Sequence, residues 1–132
     1  MKITLETTDS LQHYVAKNDA GHSVHLSGDG TATGPMQAVL MAIAGCSTID
    51  IVMILEKMRQ EVKDIKVEVE GTRRDEIPRV YTKINLHYKI FGKVKPKKAE
   101  QAVASSLETY CSVAKMIEKE VEIIGTFEII EN

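Results

Sequence analysis

Val39-Leu40-Met41-Ala42-Ile43-Ala44-Gly45-Cys46-Ser47-Thr48-Ile49-Asp50-Ile51-Val52-Met53-Ile54-Leu55 is apolar at nearly every position, and its hydrophobic side chains fall on every side of a helix rather than on one stripe. Such a helix must be enclosed. The run approaches the length of about 20 residues that a membrane span needs. Gln37, Ser47, Thr48 and above all Asp50 interrupt it, and a carboxylate is costly inside hydrocarbon. The segment therefore reads as the central core helix of a single domain covering residues 1–132, with no membrane as partner. A chain of 132 residues has trouble covering such a helix all round, which points to a second subunit that buries part of it.

On the N-terminal side, Gly34-Pro35 ends a loop rich in Gly, Thr and Asp that begins at Ser27. Proline suits the first turn of a helix, so the helix is expected to start near Met36. Before the loop, Met1 to Thr7, Gln12 to Ala16 and Ser23 to Leu26 read as two or three antiparallel strands, with turn chemistry at Asn18-Asp19-Ala20-Gly21. On the C-terminal side, Ile65 to Glu70 and Val80 to Ile90 alternate at period two, joined by a charged connection from Gly71 to Pro78. Pro96 opens a second helix that runs to Cys111, with Ala99, Ala102, Val103, Leu107 and Tyr110 at helical spacing. Ser112 to Glu120 resumes as a short helix, and Val121 to Ile130 is a closing strand interrupted by Gly125. Strands linked mostly by hairpins, with segregated helices, make an α+β chain.

The charge balance is 17 Lys and Arg against 19 Asp and Glu, with no Trp and 5% aromatic residues. Neither a basic field nor a stacking surface for nucleic acid follows from it. The start, Met1-Lys2-Ile3-Thr4-Leu5-Glu6, lacks the apolar core of a secretory signal, so the expected compartment is the cytoplasm. Cys46 and Cys111 have no Cys-x-x-Cys spacing, which excludes a zinc ribbon and a thioredoxin motif. Two readings of the pair stay open: buried structural cysteines that pack as small hydrophobes, or a dithiol in which one thiolate becomes a sulfenic acid and the other closes a disulfide. Local electrostatics favour Cys111 as the attacking thiol, because the start of the following helix would lower its pKa. Cys46, in mid-helix, needs a cation delivered from elsewhere.

Asp50 lies four residues after Cys46 and shares its helix face, where it opposes thiolate formation unless an arginine pairs with it. Arg73, Arg74 and Arg79 form the densest arginine supply, in the charged loop before Val80. His13, His22, His25 and His87 show no helical metal spacing. Neither a glycine-rich phosphate loop nor a Gly-x-Ser-x-Gly elbow is present. No cofactor and no metal is expected.

Gly34-Pro35-Met36-Gln37, the Ala-rich helix through Ala44-Gly45-Cys46-Ser47-Thr48-Ile49-Asp50, and Leu107-Glu108-Thr109-Tyr110-Cys111-Ser112-Val113 together resemble the OsmC/Ohr family of cysteine-based peroxidases over nearly the whole chain. The stretch Arg73-Arg74-Asp75-Glu76-Ile77-Pro78-Arg79-Val80-Tyr81-Thr82-Lys83-Ile84 is most similar to its small OsmC-like, YhfA-type branch. The resemblance implies an antiparallel sheet with a long buried central helix, in an intertwined homodimer whose sites lie at the subunit interface. It also implies that Cys46 is peroxidatic and Cys111 resolving, the reverse of the order that local electrostatics favour. The family activates its cysteine with an arginine from the N-terminal strands and a glutamate after the proline. Here Met36 follows Pro35, and no arginine precedes Arg59. Arg74 and Arg79 are the candidate replacement cations. Met36, Leu40 and Met41 are the candidate apolar pocket.

The function these residues and the resemblance imply is reduction of organic hydroperoxides in oxidative-stress defence, with a small-molecule hydroperoxide as substrate and an external dithiol as reductant. The alternative is a non-catalytic module binding an apolar or thiol-bearing small molecule. A Cys/His metal site ranks third.

Overall fold

The structure is a computed structural model that describes residues 1–131. The chain divides into two compact units, Met1–Val39 and the residues from Leu40 onward. In the first, β1 (Thr4–Thr7), β2 (His13–Lys17) and β3 (Ser23–Ser27) form an antiparallel sheet in that order. Asn18 makes the β2–β3 turn. Its side-chain Oδ1 accepts from the backbone N–H groups of Ala20 at 3.0 Å and His22 at 2.9 Å, while Gly21 takes the left-handed φ of 88° that the turn requires. The loop after β3 is held by Ser27, whose Oγ accepts from the Ala32 N–H at 2.8 Å. Ser27 is the one residue of this unit that is fully buried, so the sheet has no apolar core of its own.

Helix α1 (Pro35–Lys57) starts with proline in its first turn, where a missing N–H costs nothing, and continues into the second unit. There β4 (Glu61–Arg73), β5 (Tyr81–Lys93) and β6 (Glu122–Ile130) make a second sheet with β5 in the middle. Both long strands extend further than the alternation predicts at the β4 start and the β5 end. Ile84, Leu86, Tyr88 and Ile90 are buried on one face of β5, as a period of two dictates. The register sets Val67 beside Tyr88 and Phe127 on that face. The opposite face is polar: Lys89 pairs with Glu68 at 3.0 Å, and His87 Nδ1 lies 2.7 Å from Thr126 Oγ1.

One strand departs from the expected antiparallel sheet. β6 pairs with β5 in parallel, because the connection between them is a helical crossover rather than a hairpin. That crossover comprises α2 (Pro96–Ser105), a π-helical turn (Ser106–Tyr110) and α3 (Ser112–Ile117), so the second helical run ends just before Cys111, as expected, with its last turn widened. Gly125 marks where the crossover presses on the sheet. A Cβ there would stand 2.5 Å from Leu107 Cδ1 and 2.9 Å from Val103 Cγ1. Helix α1 is long and apolar enough to cross a membrane by length and composition, and one small chain was expected to cover only part of it. Within the chain it buries only the stripe Ile43, Ser47, Ile51 and Leu55, at every fourth residue. Met41, Ile49 and Met53 on other sides are 58%, 63% and 51% exposed; a single small sheet covers one side of a helix and no more.

Candidate active site

Cys46 and Asp50 each precede a residue of the buried α1 stripe by one position, which places them along one edge of it, half-buried. Ser47 within the stripe sets the helix on the sheet: its Oγ lies 2.5 Å from the Tyr88 hydroxyl and 3.2 Å from the Ala44 carbonyl to which it donates. Tyr88 is fully buried. Burial first, and then the nearby Cys111 and Asp50, push its phenol up to about 12 against the opposing Ser47 hydrogen bond. It stays a neutral hydroxyl.

The crossover delivers the second thiol to the same edge. Ser106, fully buried at the start of the π-helical turn, lies with its Oγ 3.1 Å from the Ser47 carbonyl and 3.2 Å from Asp50 Oδ2. The turn closes with the Cys111 N–H donating to the Ser106 carbonyl at 2.6 Å; this five-residue span is a single widened turn of the kind that recurs at functional sites. The Cys46 and Cys111 sulfurs and an Asp50 carboxylate oxygen consequently all lie within 4.8 Å of one another. Both cysteines are free thiols.

Cys111 caps α3, its Sγ accepting from the Ala114 N–H at 3.5 Å. That geometry is the one expected to lower its pKa, yet the thiol is pushed up to about 11. Burial is the largest cause: Cys111 is 0% exposed, and losing solvent outweighs the hydrogen bonds from Ala114 and Val113, with Cys46 raising the value further. Burial therefore works against the local preference for Cys111 as the attacking thiol. Cys46 is the more accessible of the two. Beyond Asp50 a cavity of about 360 Å³ opens, lined by Asp50, Met53, Ile54, Lys57, Met58 and Tyr110.

Residues 28–124 match the family described as OsmC-like protein. The chain belongs to this family. Protein YhfA of Escherichia coli is 42% identical over 120 residues, 89% of this chain and 90% of that protein. Among solved structures, a hypothetical protein from Aquifex aeolicus is 36% identical with a TM-score of 0.90, over 99% of this chain and 96% of that one. An organic hydroperoxide resistance protein OsmC from Legionella pneumophila is similar in fold, with a TM-score of 0.74 and 18% identity over 97% of each chain.

The OsmC-like resemblance implies a cation beside the attacking cysteine. Among the described residues Asp50 joins no ion pair. The arginines of the β4–β5 loop serve the loop itself: Arg73 Nε donates to the Arg79 carbonyl at 2.7 Å, Arg74 Nε to the Pro78 carbonyl at 2.7 Å and Arg79 Nε to the Arg74 carbonyl at 3.2 Å. Met36, Leu40 and Met41 lie on α1 between five and ten residues before Cys46; the cavity at Asp50 is on the other side, toward the helix C-terminus. The histidines stand apart from the thiols in their hydrogen bonding. His13 Nε2 is 3.1 Å from His25 Nδ1 within the first sheet, His22 bonds Asn18 at 3.5 Å, and His87 faces Glu128 at 3.5 Å. Sequence reasoning placed Cys46 and Asp50 together but missed Ser106 and Tyr88; nothing local marks either, since each meets α1 across a long sequence separation.

Proposed function

We propose that this OsmC-like chain is a cytoplasmic thiol-dependent peroxidase acting on organic hydroperoxides in oxidative-stress defence, as one domain in a homodimer. The observation that carries the reading is the approach of two free thiols to within 4.8 Å, one of them reachable and the other fully buried. The Cys46 thiolate attacks the terminal peroxide oxygen; the O–O bond breaks, the alcohol leaves with a proton, and Cys46 becomes a sulfenic acid. The Cys111 sulfur attacks the Cys46 sulfur, an S–S bond forms, and water leaves carrying the Cys111 proton. An external dithiol then exchanges with the disulfide and restores both thiols, itself oxidised. Cys111, held as a thiol at neutral pH, suits the resolving role rather than the attacking one. The family and the hydroperoxide resistance of the Legionella relative support the chemistry. The apolar side chains Met53, Ile54 and Met58 that line the cavity at Asp50, with Met36, Leu40 and Met41 as the proposed apolar positions earlier on α1, favour an organic peroxide over hydrogen peroxide.

Dimerisation is supported by the exposed Met41, Ile49 and Met53 of α1 and by a first unit without a buried apolar side chain. Both need a cover that the chain does not supply. A partner's loop with Arg74 or Arg79 is the proposed source of the activating cation. The test is turnover of cumene hydroperoxide with a dithiol reductant: Cys46→Ser abolishes it, and persistent turnover in that variant excludes the assignment. The cavity at Asp50 favours one second reading, a binding module. It is the better account if an apolar ligand still binds the Cys46→Ser/Cys111→Ser double variant and the parent consumes no peroxide.

A further inference from the structure

Three acidic donors converge at the α1 edge with no fixed cation to balance them. The two sulfurs and a carboxylate oxygen lie within 4.8 Å of one another, and among the described residues no lysine, arginine or histidine pairs with Asp50. Two thiolates with a carboxylate form a donor set for a thiophilic divalent ion, whose tetrahedral shell has ligand-to-ligand edges of about 3.5–3.8 Å. Donors that lie within 4.8 Å of one another reach edges of that size with at most about 1 Å of closure.

The surroundings fit such an ion. Ser106 lies 3.2 Å from one Asp50 oxygen, orienting the carboxylate as hydrogen-bonding neighbours orient metal ligands. The Ala114 N–H bond to Cys111 Sγ at 3.5 Å fixes that sulfur. Asp50 also lines the 360 Å³ cavity, so a fourth position opens toward a place where solvent or a small ligand can enter.

We infer that reduced Cys46 and Cys111, together with Asp50, bind a single zinc ion per chain. Binding displaces both thiol protons to solvent and occupies the sulfur lone pairs that peroxide would need, so the metal holds the dithiol in an unreactive form. A disulfide offers no thiolate, and oxidation releases the ion. This goes beyond the peroxidase reading and holds whether or not peroxide is turned over.

Untagged, reduced protein titrated with Co²⁺ tests it. The expected result is saturation at one Co²⁺ per chain, with a thiolate-to-cobalt charge-transfer band and tetrahedral visible bands, both erased by equimolar Zn²⁺. Cys46→Ser and Cys111→Ser each lower affinity more than about tenfold and diminish the charge-transfer band. Asp50→Asn keeps that band but also loses about tenfold or more in affinity. Absence of the charge-transfer band, or variants that bind like the parent, overturns the inference. A second measurement needs no variant: Zn²⁺ should slow iodoacetamide alkylation of Cys46 in the parent, and unchanged alkylation counts against the site. Peroxide oxidation of metal-free protein is followed separately, so failure of zinc binding and failure of the peroxidase reading are distinct results.

Discussion

Cys46 and Asp50 are legible as a pair because an interval of four residues places any two side chains on one helix face. Cys111 is the residue at which local reasoning reverses. Its position at a helix start is visible in the sequence, and Ala114 does hydrogen-bond to its sulfur. What decides its ionisation is burial, a property of the whole packing arrangement that no nearby residue announces. Burial pushes the folded thiol up to about 11 from an ordinary value of 9.0, so the folded state holds this proton more tightly than the unfolded chain. Its contribution to stability is complete below pH 9 and is lost as pH rises toward 11. Urea unfolding of the parent and of Cys111→Ala at a series of pH values should show the stability gap between them narrowing across that interval. A gap that widens with pH would place the folded thiol on the other side of its ordinary value.

At the scale of elements, alternation located β4 and β5, proline located the starts of α1 and α2, and a four-residue stripe on α1 emerged only once the sheet was there to select it. The parallel pairing of β6 was not legible, because a period of two reports which faces are wet and says nothing about the neighbouring strand's direction. The π-helical turn before Cys111 was equally hidden: Ala99 through Tyr110 keeps helical spacing across the point where the hydrogen bonding widens. Gly125 reads from sequence as an interruption of a strand, whereas the structure gives it the role of admitting Leu107 and Val103. Gly125→Val raises strand propensity but adds side-chain carbons where even a Cβ is too close. We expect a loss of about 1–3 kcal/mol, read as a lower urea midpoint with the slope retained. An unchanged or higher midpoint would mean that the crossover does not press on β6.

For the whole molecule, the apolar circumference of α1 announced that one chain would not suffice, and the exposed Met41, Ile49 and Met53 are the side left over. Gly45, between them, has nothing within 4 Å of where a Cβ would stand, open space beside the cysteine that a second subunit or a substrate can use. Ile49 is 63% exposed in the single chain, so Ile49→Asp should cost an isolated subunit about 0.5 kcal/mol or less. By sedimentation we expect the parent to be a dimer and Ile49→Asp a folded monomer; equal masses for the two would remove α1 from the interface. The central claim, a peroxide-oxidised Cys46–Cys111 pair, is tested most directly by mixing fully reduced, metal-free protein with cumene hydroperoxide in stopped flow and reading intact mass and disulfide peptides afterwards. Rapid loss of two hydrogens, mapped to a bond between Cys46 and Cys111, is the predicted result. A reduced mass that does not change, or oxidation that stops at one cysteine with the other untouched, contradicts it.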